Sequence, residues 1–333
     1  MADACALFAS LHRRRRCAAD ASSGGRRSLR PPSPPSFSPP PLGAPLPAAA
    51  EASCGFPADC PFISPVARCG GGVGCHHNNA SVAVPSSCRF RWDAAGFART
   101  FRGHRLWFVG DSVSTQHWRS LLCLEQERLT PDAHRALRHA RQVHPERSPD
   151  HRHPVCAPLN VGLELCHHAA RDLDGVLSSL LKHSMLRRGN VIVLNSHAHE
   201  PRRAETEQVQ RLASWLDQHP DARLPAIVWR TRAAVHFRDE FVDHNPYETE
   251  HCHPIADARR QRLVLWDANG TGHRLLRERG ARVLDGGVDT VDSSHAHPFV
   301  GCGREKQPYY DCTHYCQPGP LMRWNERLVE LFR

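Results

Sequence analysis

Lysine is nearly absent from this chain, since Lys182 and Lys306 are the only two among 43 basic residues. The positive charge is therefore almost all guanidinium. With the abundance of Ala, Pro and Gly, this bias reads as coding-sequence composition rather than a selected set of phosphate contacts. No basic segment is interleaved with aromatics and no zinc-finger spacing occurs, so a net charge of +9 does not by itself indicate a nucleic-acid partner. Residues 1–50 hold seven Arg and two Asp, which leaves only +4 for the other 283 residues. Long apolar runs are also missing, and the composition excludes a multi-span membrane protein, a coiled coil and a wholly disordered chain. No internal repeat is visible. The 333 residues are enough to bury a sizeable core.

Cysteine, by contrast, is plentiful. There are fourteen, and eight of them cluster at Cys54, Cys60, Cys69, Cys75 and Cys88, and again at Cys302, Cys312 and Cys316. Zinc sites favour repeated Cys-x2-Cys pairs, and spacings of 6, 9, 6 and 13 in the first cluster contain none. Cys-His neighbours such as Cys166-His167-His168 are expected by chance in a chain with 24 His. The spacing therefore favours disulfides in an oxidising compartment, with no metal site. The N-terminus does not match that compartment. Its weakly apolar first eleven residues, followed by Arg13–Arg16, have the pattern of neither a signal peptide nor a membrane anchor.

Three regions follow from composition. Residues 1–50 read as a disordered Arg- and Pro-rich region, with nine Pro between positions 31 and 47. Residues 51–88 read as a small cysteine-rich subdomain, and 89–333 as the main domain. Arg105–Val109, Val191–Leu194, Ala226–Trp229 and Ala281–Leu284 are short apolar runs that predict buried strands. Helical spacing follows at Trp118, Leu121, Leu122 and Leu124, and again over Glu205–Gln218, Asp257–Arg279 and Trp324–Phe332. This alternation predicts an α/β fold with a parallel sheet covered on both faces. Residues 131–158, rich in His, Pro and charge, read as a long surface loop. Trp118 and Trp215 fall on apolar helical faces and read as core.

In an open parallel sheet, chemistry collects at the carboxyl ends of the strands. Gly110-Asp111-Ser112 follows the first strand and opens a helix, where free N–H groups would stabilise an oxyanion on an acylated serine. Simple helix capping by a serine explains the same residues equally well. Asp311-Cys-Thr-His314 places a carboxylate and an imidazole on one turn, and Ser112 would complete a nucleophile, base and orienting acid. A loop histidine held by neighbouring cysteines is the plainer alternative. Arg230, at a strand end, would either bind an anionic substrate group or form a buried ion pair.

Taken jointly, Leu106–Cys123 (LWFVGDSVSTQHWRSLLC) and Asp311–Asn325 (DCTHYCQPGPLMRWN) resemble the two signature blocks of the trichome birefringence-like proteins. These belong to the PC-esterase group of SGNH/GDS-type acyltransferases. Further ordered matches are Cys60-Pro-Phe-Ile63, Cys88–Asp93, Phe101–His104, Val191–Asn195, Arg230-Thr231 with His236-Phe237, and His297-Pro298. The resemblance spans roughly residues 54–332. It implies a three-layer α/β/α SGNH-like fold, with Ser112 as nucleophile, His314 as base and Asp311 as its partner. Asn195 and the Ser112 N–H would form the oxyanion hole, and Asp111, Gln116, Arg230, His236 and His297 would contact substrate. Implied disulfides are Cys54–Cys88, Cys60–Cys123, Cys69–Cys316 and Cys252–Cys312.

The activity so implied is O-acetyl transfer to hydroxyls of cell-wall polysaccharides or glycans, in the Golgi lumen of the secretory pathway. It needs an acetyl donor, acetyl-CoA or another, but no bound cofactor. A carbohydrate esterase with the same three residues is the alternative, and a non-catalytic glycan-binding protein the second. The sequence departs from the family at Val82–Pro85, Thr115–His117, Ser196–His199 and His295, positions on the acceptor side of the expected site.

Overall fold

A computed structural model describes residues 60–62, 92–143, 154–170, 172–195, 202–220, 224–237, 252–255, 270–297, 299–300, 309–317 and 319–333. The expected N-terminal region and nearly all of the cysteine-rich subdomain lie outside them, as do Cys54, Cys69 and Cys88.

Chain order within the described residues is α1 (Ala94–Phe101), β1 (Arg105–Gly110), α2 (Ser112–Leu124), α3 (Pro131–Val143), β2 (Val155–Pro158), β3 (Glu164–Ala169), α4 (Leu173–Lys182) and β4 (Asn190–Asn195). There follow α5 (Arg202–Gln218), β5 (Ala226–Arg230), α6 (Thr271–Glu278), β6 (Arg282–Leu284), a short pair β7 (Phe299–Val300) and β8 (Tyr309–Tyr310), and α7 (Pro320–Glu330). The six-stranded main sheet has the order β2-β3-β1-β4-β5-β6, parallel throughout except for β2 on its edge. The chain leaves β1 to build β3 on one side and then crosses to β4 on the other, so the carboxyl end of β1 is where the winding reverses. A crevice opens at such a point.

Side-chain alternation along the strands divides the core in two. Leu106 and Phe108 of β1, Val191 and Val193 of β4, and Val228 of β5 face a layer formed by α1, α2, α3 and α7. Trp107 and Val109, Ile192 and Leu194, and Ile227 and Trp229 face the opposite layer of α4, α5 and α6. Both faces are thus dry, which is why these strands read as continuous apolar runs rather than alternating ones. The expected α/β/α sandwich is formed, and Trp118 and Trp215 are both core residues.

Two sequence expectations change. Residues 131–158 are not one long loop: α3 begins at Pro131, where a missing N–H costs nothing, and Ala133 and Leu137 bury against the core. Val155–Pro158 then forms the antiparallel edge strand, crosslinked to β3 by an unforeseen Cys156–Cys166 disulfide at directly opposed register positions. The first half of the helix expected over Asp257–Arg279 lies outside the described residues, and α6 is its second half.

Two disulfides match the implied pairing. Cys60–Cys123 fastens the N-terminal segment to the last turn of α2, and Cys252–Cys312 fastens a distant segment beside Asp311. Cys316 is buried, and its implied partner Cys69 is outside the described residues. On the first face α7 packs on α2. The His117 ring lies edge-on between Phe108 and Trp324 at 4.8 and 5.3 Å, and Asn325 Nδ2 donates to Ser120 Oγ at 3.2 Å. Burial, followed by the nearby Arg230 charge, pushes the His117 ring well below the usual histidine range.

Candidate active site

β1 ends at Gly110, where any side chain would collide with the Asn195 Oδ1 of the neighbouring strand. Asp111 follows as the N-cap of α2, its Oδ1 accepting from Val113 N at 3.1 Å and Ser114 N at 3.2 Å. The same oxygen accepts from Asn195 Nδ2 at 3.0 Å, while Asn195 Oδ1 accepts from Ser114 Oγ at 2.7 Å. Asp111, Ser114 and Asn195 thus form a closed buried network that joins the end of β4 to the first turn of α2. Ser112 is left at the head of that turn, exposed, with its N–H among those no helix carbonyl can reach.

His314 approaches from the other end of the chain. Its Nε2 is 2.7 Å from Ser112 Oγ, across 202 residues of sequence. On the ring's far side Nδ1 is 2.7 Å from Asp311 Oδ2. The other carboxylate oxygen accepts from Thr313 N at 3.2 Å and His314 N at 3.1 Å, so the Asp311 turn orients its own partner. Burial pushes the Asp311 carboxyl up, but the His314 charge and these hydrogen bonds outweigh it and hold the group at about 2. Nδ1–H therefore faces an ionised carboxylate. That fixes the tautomer in which Nε2 is a lone-pair acceptor for the serine proton.

Gln116 holds the two halves together. Its Nε2 donates to Tyr315 O at 3.2 Å, its Oε1 accepts from Tyr315 N at 3.1 Å, and its backbone oxygen accepts from Gln317 Nε2 at 3.1 Å. Its side-chain amide is thus paired with the main chain beside His314, a positioning role in place of the expected substrate contact.

The other expected contacts also prove to lie beneath the surface. Arg230 is 1% exposed; its Nη1 donates to Val113 O at 3.3 Å, and its guanidinium covers the Trp324 ring at 4.6 Å. Burial lowers it to about 10, with Asp111 and Glu205 opposing, so it stays charged at neutral pH. This buried cation under the first turn of α2 cannot reach a substrate, and it balances the Asp111 carboxylate. His236 and His297 are also buried, linked to each other and to the main chain of His314. Asp111 itself is buried as the cap. Of the substrate-contact residues expected from sequence, Asp111, Arg230, His236 and His297 are buried, and Gln116 is half-buried with its amide paired to Tyr315.

The serine cap weighed from sequence, Ser112 or Ser114, is supplied instead by Asp111, and sequence reading missed the bond from Ser114 to Asn195 and the pairing of Thr115 Oγ1 with His167 Nε2 at 3.0 Å, where the His167 ring stacks on Trp118. The signal for Ser114 was present: a cap carboxylate, with a hydroxyl three residues on, opposite a strand-end amide. Among the described residues, Cys156, Glu164 and Cys166 are the group of metal-ligand type, and the two thiols there are joined as a disulfide.

A parallel sheet wrapped on both faces, with a serine, an imidazole and a carboxylate in line at its winding reversal, is the architecture of an acyl-esterase or acyltransferase. The chain belongs to the PC-esterase family, the GDSL/SGNH-like acyl-esterase family found in Pmr5 and Cas1p, whose model matches residues 90–155 and 182–331. Among similar proteins, xylan O-acetyltransferase 14 of Oryza sativa subsp. japonica is 26% identical over 316 residues, covering 73% of this chain and 66% of that protein. The chain therefore spans just under two thirds of that relative. Trichome birefringence-like 36 of Arabidopsis thaliana is 22% identical over 83% of this chain and 81% of its own length. Trichome birefringence-like 39 of Arabidopsis thaliana is 43% identical over a shorter stretch of 72 residues.

Proposed function

We propose that this protein transfers acetyl groups onto polysaccharide hydroxyls through an acyl-serine intermediate. The observation that carries the reading is the in-line relay Ser112–His314–Asp311, both links at 2.7 Å. In the first half-reaction Ser112 Oγ attacks the carbonyl carbon of the donor as its proton passes to His314 Nε2. The donor's leaving group departs with that proton, leaving an ester on Ser112. A sugar hydroxyl then gives its proton to Nε2 and attacks the acyl carbon, and Ser112 leaves and is reprotonated. The Ser112 N–H and the Asn195 side-chain amide are the proposed oxyanion donors. Ser112 is exposed, which suits a polymer that is gripped along its length.

The same exposure favours hydrolysis as the second reading, because water reaches the acyl-serine as readily as a sugar does. The three disulfides among the described residues support a lumenal, oxidising location on the secretory route. Among the described residues no helix is long and apolar enough to cross a membrane.

The test is incubation of the purified protein with acetyl-CoA or an aryl acetate, with and without xylo-oligosaccharide. Acetylated oligosaccharide formed by the wild type and lost in Ser112→Ala supports transfer. Acetate released at the same rate with or without sugar supports the esterase, and neither product from either donor overturns both.

A further inference from the structure

Behind His314 runs a chain of four polar groups. Val291 O lies 3.1 Å from His236 Nε2, His236 Nδ1 lies 2.7 Å from His297 Nε2, and His297 Nδ1 lies 2.5 Å from His314 O. Both rings are buried, at 1% and 6% exposure, so water does not intervene. We propose that His236 and His297 share a proton and carry one positive charge between them, forming a positioning pair for His314 that holds its main chain and keeps its ring a neutral base.

The count of hydrogens requires this. A carbonyl only accepts, so Val291 O demands a proton on His236 Nε2 and His314 O demands one on His297 Nδ1. Two inner nitrogens at 2.7 Å need one proton between them: none leaves two lone pairs opposed, and two brings N–H against N–H. Three protons on two imidazoles make a monocation. Two neutral rings would leave one carbonyl facing a lone pair in a dry site.

The surroundings agree with a single charge. Burial, followed by the His236 charge, pushes His297 down to about 3, which opposes a second charge in the pair. Among the described residues, the groups facing the pair are Asp311, His314, the Tyr315 ring at 4.5 Å from His297, and His253, whose N–H donates to His236 O. The Asp311 carboxylate favours the cation. The His314 charge opposes it, and that repulsion is mutual, so the pair disfavours a proton on His314.

This inference rests on His314 being the catalytic base, and its closing experiment separates the two. Nitrogen-15 spectra of histidine-labelled full chain are recorded at pH 7, with His236→Asn and His297→Asn identifying the two rings. Three protonated nitrogens across the pair are expected, and two neutral rings overturn the proposal whatever the activity. Acetyl transfer is then followed against pH. His236→Ala is expected to lower kcat about tenfold or more by loosening His314, with little change in KM. His236→Asn recovers most of that loss, because its amide donates to His297 Nε2 and lets a neutral His297 keep its bond to His314 O. Without the charge, the acid limb of the His236→Asn profile moves up by roughly half a pH unit or more. An unmoved limb overturns the electrostatic half of the proposal. A cationic pair in a protein with no acyl-transfer or esterase activity overturns the functional reading and leaves the pair's charge standing.

Discussion

At the scale of single residues, three side chains carry the proposed chemistry and a larger number hold them still. Ser112→Ala is expected to cut acetyl transfer at least about a thousandfold, while the Tm moves little because the hydroxyl is exposed and caps nothing. Asp311→Asn is expected to lower kcat by about 10²–10⁴-fold, since a neutral amide no longer selects the Nδ1–H tautomer; single-turnover acylation would measure it. The same carboxyl gives a pH signature in stability. Its native pKa of about 2 lies below the ordinary 3.8. Its contribution is therefore complete above about pH 4 and is lost as pH falls towards 2, a loss absent from Asp311→Asn in urea denaturation at stepped pH. The three reacting residues were legible because their chemistry fits their place at strand and loop ends. The buried supporters were not. Gln116, His236 and His297 look like ligand-binding residues in a linear reading, and Arg230 reads equally as a substrate contact or a buried ion pair, since polar residue types do not reveal that their partners are main-chain groups, each other or a buried ring.

Elements explain which parts of the fold could be read in advance. β1, β4 and β5 are covered on both sides, so their sequences are apolar on both faces, while the edge strand β6 buries only Leu284 fully. β3 was missed because its inner positions are Cys166, His167 and His168, whose burial depends on a disulfide and on contacts with Thr115 and Trp118. α3 was missed because Ala133 and Leu137 are set in an otherwise largely polar and charged sequence. α2 is the element on which the site depends most, as its cap is also the link to β4. Asp111→Ala removes two cap bonds and the acceptor for Asn195, and is expected to cost about 2 kcal/mol in chemical denaturation and to depress activity. Asp111→Asn retains a cap oxygen and is expected to lose less than half as much.

For the molecule as a whole, the crosslinks differ in reach. Cys252–Cys312 closes a separation of 60 residues and Cys156–Cys166 one of 10. On chain-entropy grounds, breaking the first with Cys252→Ser is expected to cost about 1–2 kcal/mol more than breaking the second with Cys156→Ser, seen as a larger fall in Tm under oxidising conditions. The first also secures the backbone next to Asp311, so its loss is expected to lower activity at temperatures where the fold persists, whereas loss of the edge-strand bridge leaves kcat largely intact.

The 202 residues between Ser112 and His314 also set a timetable. A ribosome adding about 5–20 residues per second finishes the nucleophile's helix roughly 10–40 s before it makes the base. During that interval the growing chain has a serine with nothing to take its proton. In the proposed mechanism, acyl chemistry starts only when α7 has come down on α2 and carried the Asp311 turn with it. The Asp311 turn and α7 therefore act as an ignition key, and a growing chain that has not yet reached them lacks the base of the proposed relay.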